Sequence, residues 1–494
     1  MKVLMFGWEF PPHISGGLGT ACAGLTHALD KENVEVLFVV PKLHGGEKAV
    51  HASFIDASHI PILQQKPTAP LNTRNPDPGI QKSLKEGKSA KPKGNIQRIE
   101  VSSLLSPYTS VLSDARTAYG LESWNYFFDT FDERTIPGRR SHSPNVNGDT
   151  FEYVKEAYTF SGTYGPNLLE EVQRYAQTAR EIAAENIFDV IHAHDWMTFL
   201  AGVQAKKISG KPLIVHVHAT EIDRSGKQVN PQIFAIEKQG MMLADKVVTV
   251  SNWTKNIAVK YYAIDPDKIE VVHNGINPKP NFDTDALPPP LGSHIVTFLG
   301  RITHQKGPMY FVEAARRVLE KFPDAHFVVA GSGDQLPLMI ERIAALRLSD
   351  HFHFTGFLKG VDIDRVWSIS NVYVMPSVSE PFGIAPLEAI QAGVPVIISR
   401  QAGVSEVMPH AIKVDFWNSE ALAEAICNLL RFKSLTNTLK KNSAEEIKSI
   451  TWDKAAKKLT TLYYELTKKQ EKPEKSDLLL SGSSAKKAAH PALF

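Results

Sequence analysis

Cysteine is nearly absent: the 494 residues hold two, Cys22 and Cys427. Two thiols so far apart exclude a disulfide framework and fit a reducing compartment. Both stand in apolar helical patterns and read as core residues. Long hydrophobic runs are absent too. No stretch approaches the roughly 18 apolar residues that a membrane-crossing helix needs, so no membrane span is expected. Charge of one sign is also missing, with 55 Lys and Arg against 53 Asp and Glu. A near-neutral chain has no global field to attract nucleic acid, and none is expected as a partner. The opening MKVLMFGWEF has one lysine and no small-residue cleavage site before Pro11 and Pro12. It reads as a first strand rather than a signal peptide, and a cytoplasmic enzyme is expected.

Short apolar runs rich in Val and Ile are plentiful. They lie at 3–6, 34–40, 189–193, 213–217, 247–250 and 269–272, then at 295–299, 326–330, 351–354, 372–375 and 396–398. Near-continuous apolar runs are the pattern of parallel strands buried on both faces. Helical stretches such as 21–29 and 310–321 separate them, which predicts a doubly wound α/β architecture. The series breaks at 278–290, a Pro-rich polar linker and the expected domain boundary. The predicted units are a first domain over 1–280, a second over 291–450, a helix over 451–470 and a loose tail over 471–494. Residues 64–95, rich in Lys, Pro, Gly and Asn, read as a disordered insertion.

Four motifs sit where strands end. After the first strand, Gly16-Gly17 precede a helix, where a bare backbone and free N–H groups suit a phosphate. His192-Ala193-His194-Asp195-Trp196 ends another strand. There His192 reads as core, and His194, at the tip, as a partner for a sugar hydroxyl or a carbonyl. His216 and His218 extend the histidines, but without cysteines or a helical pair no metal is expected. Arg301 and Lys306, five residues apart on Gly300–Gly307, can close on a diphosphate, a planar fork beside a point charge. Glu380 and Glu388 flank Gly383, Ile384 and Pro386. Pro386 reads as the first residue of a helix, and the two carboxylates as a grip on different parts of one elongated ligand.

Together these residues resemble the retaining glycosyltransferases of the GT-B fold, the broad family that includes bacterial glycogen synthases and sucrose synthases. The similarity spans residues 1 to about 465, poorly over 45–150. The E-x7-E element from Glu380 to Glu388 and the G-R-x-x-x-x-K-G loop carry it. GWEFPP, HAHDW, VSNWTK, VVHNGI and AGVPVI follow in the expected order.

The resemblance implies two Rossmann-like domains facing across a cleft and no cofactor. It implies UDP-glucose or ADP-glucose as donor and an α-1,4-glucan as acceptor. A small-molecule, cell-surface polysaccharide or lipid acceptor is the alternative. Arg301 and Lys306 would stabilise the leaving nucleoside diphosphate. Glu380 would hold the sugar hydroxyls, and Glu388 the ribose. Gly383 and Ile384 would offer N–H groups, His194 would meet the sugar near its anomeric carbon, and Gly17 would approach the donor phosphate. Asn252 and Asn274 are candidates for the cleft wall, with turn formation as their other reading. Ile14 stands where plant and bacterial starch and glycogen synthases carry the lysine of K-x-G-G. Aromatics at 106–112, 119–131 and 151–176 are expected on the acceptor side.

Overall fold

The computed structural model describes residues 1–13, 16–47, 51–67, 151–226, 228–278 and 294–470. Its strands in chain order are β1 (Lys2–Phe6), β2 (Glu35–Val40), β3 (Ser53–Asp56), β4 (Pro61–Pro67), β5 (Phe151–Ala157), β6 (Val190–His194), β7 (Leu213–Val217), β8 (Lys246–Thr249) and β9 (Ile269–Val271). The second half adds β10 (His294–Leu299), β11 (Ala325–Ala330), β12 (Phe352–Gly356), β13 (Val372–Met375), β14 (Val396–Ser399) and β15 (Ile412–Val414).

Among the described residues, two parallel sheets run β3-β2-β1-β6-β7-β8-β9 and β12-β11-β10-β13-β14-β15. The chain winds outward from β1, then returns to pair β6 on the other side of β1. It does the same around β10 and β13. Each reversal opens a crevice at the carboxyl ends of two neighbouring strands, where open α/β sheets hold ligands. The strands form because both their faces are covered. Val3, Leu4, Met5 and Phe6 of β1 are all fully buried.

The covering helices are α1 (Gly17–Lys31), α2 (Leu168–Glu185), α3 (Trp196–Ser209), α4 (Glu221–Ser225), α5 (Pro231–Leu243) and α6 (Asn252–Tyr262) in the first domain. The second has α7 (Pro308–Leu319), α8 (Leu336–Ala345), α9 (Val361–Ile369), α10 (Ala385–Gln391), α11 (Ser419–Arg431) and α12 (Lys433–Ile447). The last helix, α13 (Trp452–Gln470), crosses back. Its stripe of Trp452, Ala456, Leu459, Leu462, Tyr463 and Leu466 joins Cys22 and Leu25 of α1 in one core with Val3 and Met5 of β1. Gly24 of α1 admits this packing, since a Cβ there would lie 2.4 Å from the Trp452 ring.

The structure departs from the sequence expectations in three places. Residues 64–67, expected as the start of a disordered loop, belong to β4, which pairs antiparallel with β5; the rest of the 64–95 segment lies outside the described residues. Helix α10 begins at Ala385, so Pro386 is its second residue. Strands β3, β4, β5 and β15 were not expected. The linker at 278–290, the aromatics at 106–112 and 119–131 and the tail after 470 fall almost wholly outside the described residues.

Candidate functional site

Both crevices open into one cleft of about 680 Å³ between the domains. Of the expected site residues, Gly16, Gly17, Arg301, Lys306, Glu380, Gly383, Ile384 and Glu388 line it. His194 and Asn252 do not.

On the second domain, Lys306 closes a single 3-10 turn, His304–Lys306, that ends at Gly307. Gly307 has φ +69°, and a Cβ there would stand 2.1 Å from the Pro376 carbonyl oxygen. Glycine thus lets the loop press on the end of β13, and Lys306 Nζ meets Glu380 Oε2 in an ion pair. Ser377 Oγ donates to the same carboxylate oxygen at 3.2 Å. The Glu380 backbone is fixed as well: its N–H donates to Gln401 O, and its carbonyl accepts from Gly403 N–H. Gly383, at φ +97°, then turns the chain into α10. Glu388 follows in the first turn of that helix. Arg301 lines the cleft and has no carboxylate partner among the described residues.

On the first domain, the residues facing these groups are Glu9, Asp195, His218, Arg224 and Asn274. Glu9 accepts from Gly19 N–H at 3.1 Å, so a carboxylate already sits at the N-terminus of α1. A Cβ added to Gly16 or Gly17 would meet nothing within 4 Å, and that stretch of backbone is open to the cleft.

Asp195 has φ +64° and ψ 167°. A non-glycine residue there stores about 1–3 kcal/mol of strain, a cost typical of functional sites. Burial holds its carboxyl above the usual range, opposed by Arg224 and by backbone N–H groups of Ala219, Trp196 and His218. Arg224 is itself neutralised: it pairs with Glu221 and Glu237 and donates to the Ala219 carbonyl at 3.2 Å. Burial lifts Glu237 to about 7, with Arg224 pulling it back.

The expectation for His194 is corrected. Its side chain is fully buried inside β6, and the histidine at the cleft is His218, one residue past β7. The H-x-H pattern occurs in both strands, and nothing in its spelling says which strand stops short. Asn252 is corrected too. It heads α6, and its backbone N–H and Nδ2 both donate to Glu406 of the second domain at 2.9 Å. Trp253 N–H and His273 Nε2 complete the grip on Glu406, both at 2.8 Å. That is a contact between domains, and the asparagine in the cleft is Asn274. Among the expected acceptor-side aromatics, Tyr164 lines the cleft, whereas Tyr175 is buried and donates to Val39 O at 2.8 Å. Asp195 was the residue most readily missed, since its mark is a backbone angle.

Three family models match in chain order. They are the starch synthase catalytic domain over residues 2–75, glycosyltransferase family 4 over 142–279 and glycosyl transferases group 1 over 281–446. An uncharacterized glycosyltransferase of Methanocaldococcus jannaschii is 31% identical over 295 residues, 56% of this chain and 75% of that protein. The alpha-maltose-1-phosphate synthase of Mycolicibacterium smegmatis is 31% identical over 49% of this chain and 69% of its own length. A glycogen synthase of Mycobacterium tuberculosis is 27% identical over 44% and 54%. The structure of sucrose-phosphate synthase from Thermosynechococcus elongatus superposes with a TM-score of 0.63 at 18% identity, covering 95% of this chain and 99% of that one. At that identity the superposition speaks for the fold alone.

Proposed function

The chain belongs to the glycosyltransferases of the GT-B fold, and from that premise we propose that it moves glucose from UDP-glucose or ADP-glucose to an α-glucan, with retention at the anomeric carbon. The observation that carries the reading is the pairing across one cleft of Arg301, Lys306 and Glu380 with Asp195 and His218. In the reaction the bond between the anomeric carbon and the β-phosphate oxygen breaks, and its electron pair leaves with the diphosphate. Arg301 and Lys306 neutralise that charge without calling on a metal, the main lever in a water-poor site. Lys306 now pairs with Glu380, and an arriving diphosphate competes for it. Glu380 is then free to hold sugar hydroxyls, while Glu388 takes the ribose and the backbone at Gly383 and Ile384 offers N–H groups. Gly17 approaches the phosphates from the other wall.

The role that His194 was expected to fill passes to its neighbours at the cleft. Asp195 faces the developing positive charge of the sugar, and His218 faces a hydroxyl beside the anomeric carbon. The acceptor hydroxyl attacks from the face that the diphosphate leaves, and its proton passes to the departing phosphate oxygen. The match of residues 2–75 to the starch synthase catalytic domain supports a glucan acceptor. Two buried, unpaired cysteines suit the cytoplasm, where we place the reaction.

A second reading, transfer to a small molecule, draws on the maltose-1-phosphate synthase among the relatives. Product analysis separates the two. UDP- and ADP-sugars are incubated with the protein, with and without glycogen, and beside glucose 1-phosphate. Glucose incorporated into glycogen supports the first reading. Turnover stimulated by the small acceptor and never by glycogen replaces it with the second.

A further inference from the structure

Four imidazoles stand together on the face of the first sheet that α1 and α13 cover. His192 and His194 come from β6, His216 from β7 and His218 from the residue after it. The rings stack: centroids lie 4.2 Å apart for His192 and His194, and 4.3 Å for His216 and His218. One nitrogen each of His192, His194 and His216 lies within 4.8 Å of the other two. Their planes are only 8° to 33° apart, however. Lone pairs in near-parallel rings run side by side, whereas a metal needs them to converge. The hydrogen bonds describe a different device. At one end, Tyr463 OH of α13 lies 2.6 Å from His192 Nδ1. At the other, His194 Nδ1 lies 3.0 Å from Nε2 of His218, which lines the cleft.

We propose that His194 is a positioning residue that fixes the tautomer and orientation of His218, and that Tyr463 anchors the ladder from the crossover helix. The part played by His218 in transfer rests on the function proposed above. The direction of the shared proton follows from the far side of each ring. Nε2 of His192 and Nε2 of His194 are buried without a partner. A bare buried N–H is rarer and costlier than a bare acceptor, so in each ring the proton belongs on Nδ1. His194 therefore donates to His218 Nε2, and a neutral His218 carries its own proton on Nδ1. Burial keeps the ladder neutral, holding His192 and His218 down to about 3. Through the His192–Tyr463 bond, the docking of α13 bears on a ring in the cleft.

The test is made on the full chain labelled with 15N-histidine. Long-range proton–nitrogen correlations read the tautomer of His218, assigned with His218→Asn, and steady-state kinetics are measured beside them. The expected wild-type pattern is Nδ1–H. In His194→Leu that pattern is lost, and kcat falls roughly 10- to 100-fold, the scale of a misplaced group, with the donor KM little changed. His194→Asn, whose amide can stand in for Nδ1–H, restores most of both. Tyr463→Phe, which keeps the ring and loses one hydroxyl, gives a smaller fall in kcat. A folded His194→Leu with the wild-type tautomer and kcat overturns the proposal. If that variant fails to fold, His194→Asn decides: a changed tautomer with undiminished turnover is equally fatal. Full activity in Tyr463→Phe removes the anchor. If no transfer is found at all, the tautomer signal still decides the geometry.

Discussion

At the scale of single residues, charge and burial make separate predictions. Lys306→Ala or Arg301→Ala should lower kcat by about 100-fold or more, the usual loss for a charge partner of the transition state. Both stand on one loop held by its own backbone, with Ile302 N–H donating to Ser332 O and Lys306 N–H to Thr303 O. Arg301→Ala should therefore barely move the melting temperature, whereas Lys306→Ala, which strips Glu380 of its ion-pair partner, should lower it modestly. The check is turnover and thermal melting on the same samples.

The buried imidazoles predict how stability follows pH. Burial first, and neighbouring imidazoles second, hold His194 and His216 well below 6.5. Above about pH 6.5 these rings are neutral in folded and unfolded chains alike. Below it the unfolded chain binds protons that the folded one refuses, so stability falls with pH by up to about 1.4 kcal/mol per unit for each ring. Glu237 pulls the other way, because its raised value makes the folded chain retain a proton that the unfolded chain gives up between about 4.5 and 7. Burial raises Asp195 and Asp223 as well, from lower ordinary values, and they pull with Glu237. The four lowered rings, His192, His194, His216 and His218, outnumber these three carboxyls. Urea midpoints should therefore drop between pH 6.5 and 5, and His216→Phe should flatten that slope. Midpoints that stay level would place compensating charge beside the ladder.

At the scale of elements, most of the fold was legible because its strands are buried on both faces. The run at 213–217 is β7 residue for residue, and 372–375 is β13. The strands that went unread were of another kind. Strand β3 has no fully buried residue among Ser53–Asp56. Strand β4 opens the segment whose Pro- and Lys-rich composition pointed to a loop. The cleft followed the same division. Arg301, Lys306, Glu380 and Glu388 announce themselves by residue type and spacing at strand ends. The choice of Asp195 and His218 over His194 depends on where β6 and β7 stop and on one positive φ, which no spacing encodes.

Helix α13 was legible as a helix over 451–470, and its burial says what truncation should do. Its apolar stripe completes a core with α1 and β1, so ending the chain near residue 450 should lower the stability of the first domain and promote aggregation. A milder probe is Gly24→Val, which drives side-chain atoms into the Trp452 ring. Overpacking of this kind costs about 1–3 kcal/mol, read as a lower melting temperature. An unchanged melting point would mean that α13 can shift without loss.

At the scale of the whole molecule, the groups proposed to hold the donor belong to the second domain, and Asp195 and His218 to the first. Ser251 Oγ donates to Pro381 O, and Glu406 grips the start of α6, so the domains already touch on one side of the cleft. Donor binding should close the open side. Small-angle scattering should give a smaller radius of gyration with nucleoside diphosphate, and an unchanged radius would mean that the cleft is already set.

If the second-domain cations carry nucleotide-sugar chemistry in this cleft, removing one must slow it. Nucleoside diphosphate release from a panel of UDP- and ADP-hexoses, wild type against Lys306→Ala, with glycogen present, measures this. Release from at least one donor by the wild type, and a fall of about 100-fold or more in the variant, is the expected result. Release that Lys306→Ala leaves undiminished, or no release from any donor by the folded wild type, would refute the proposed role.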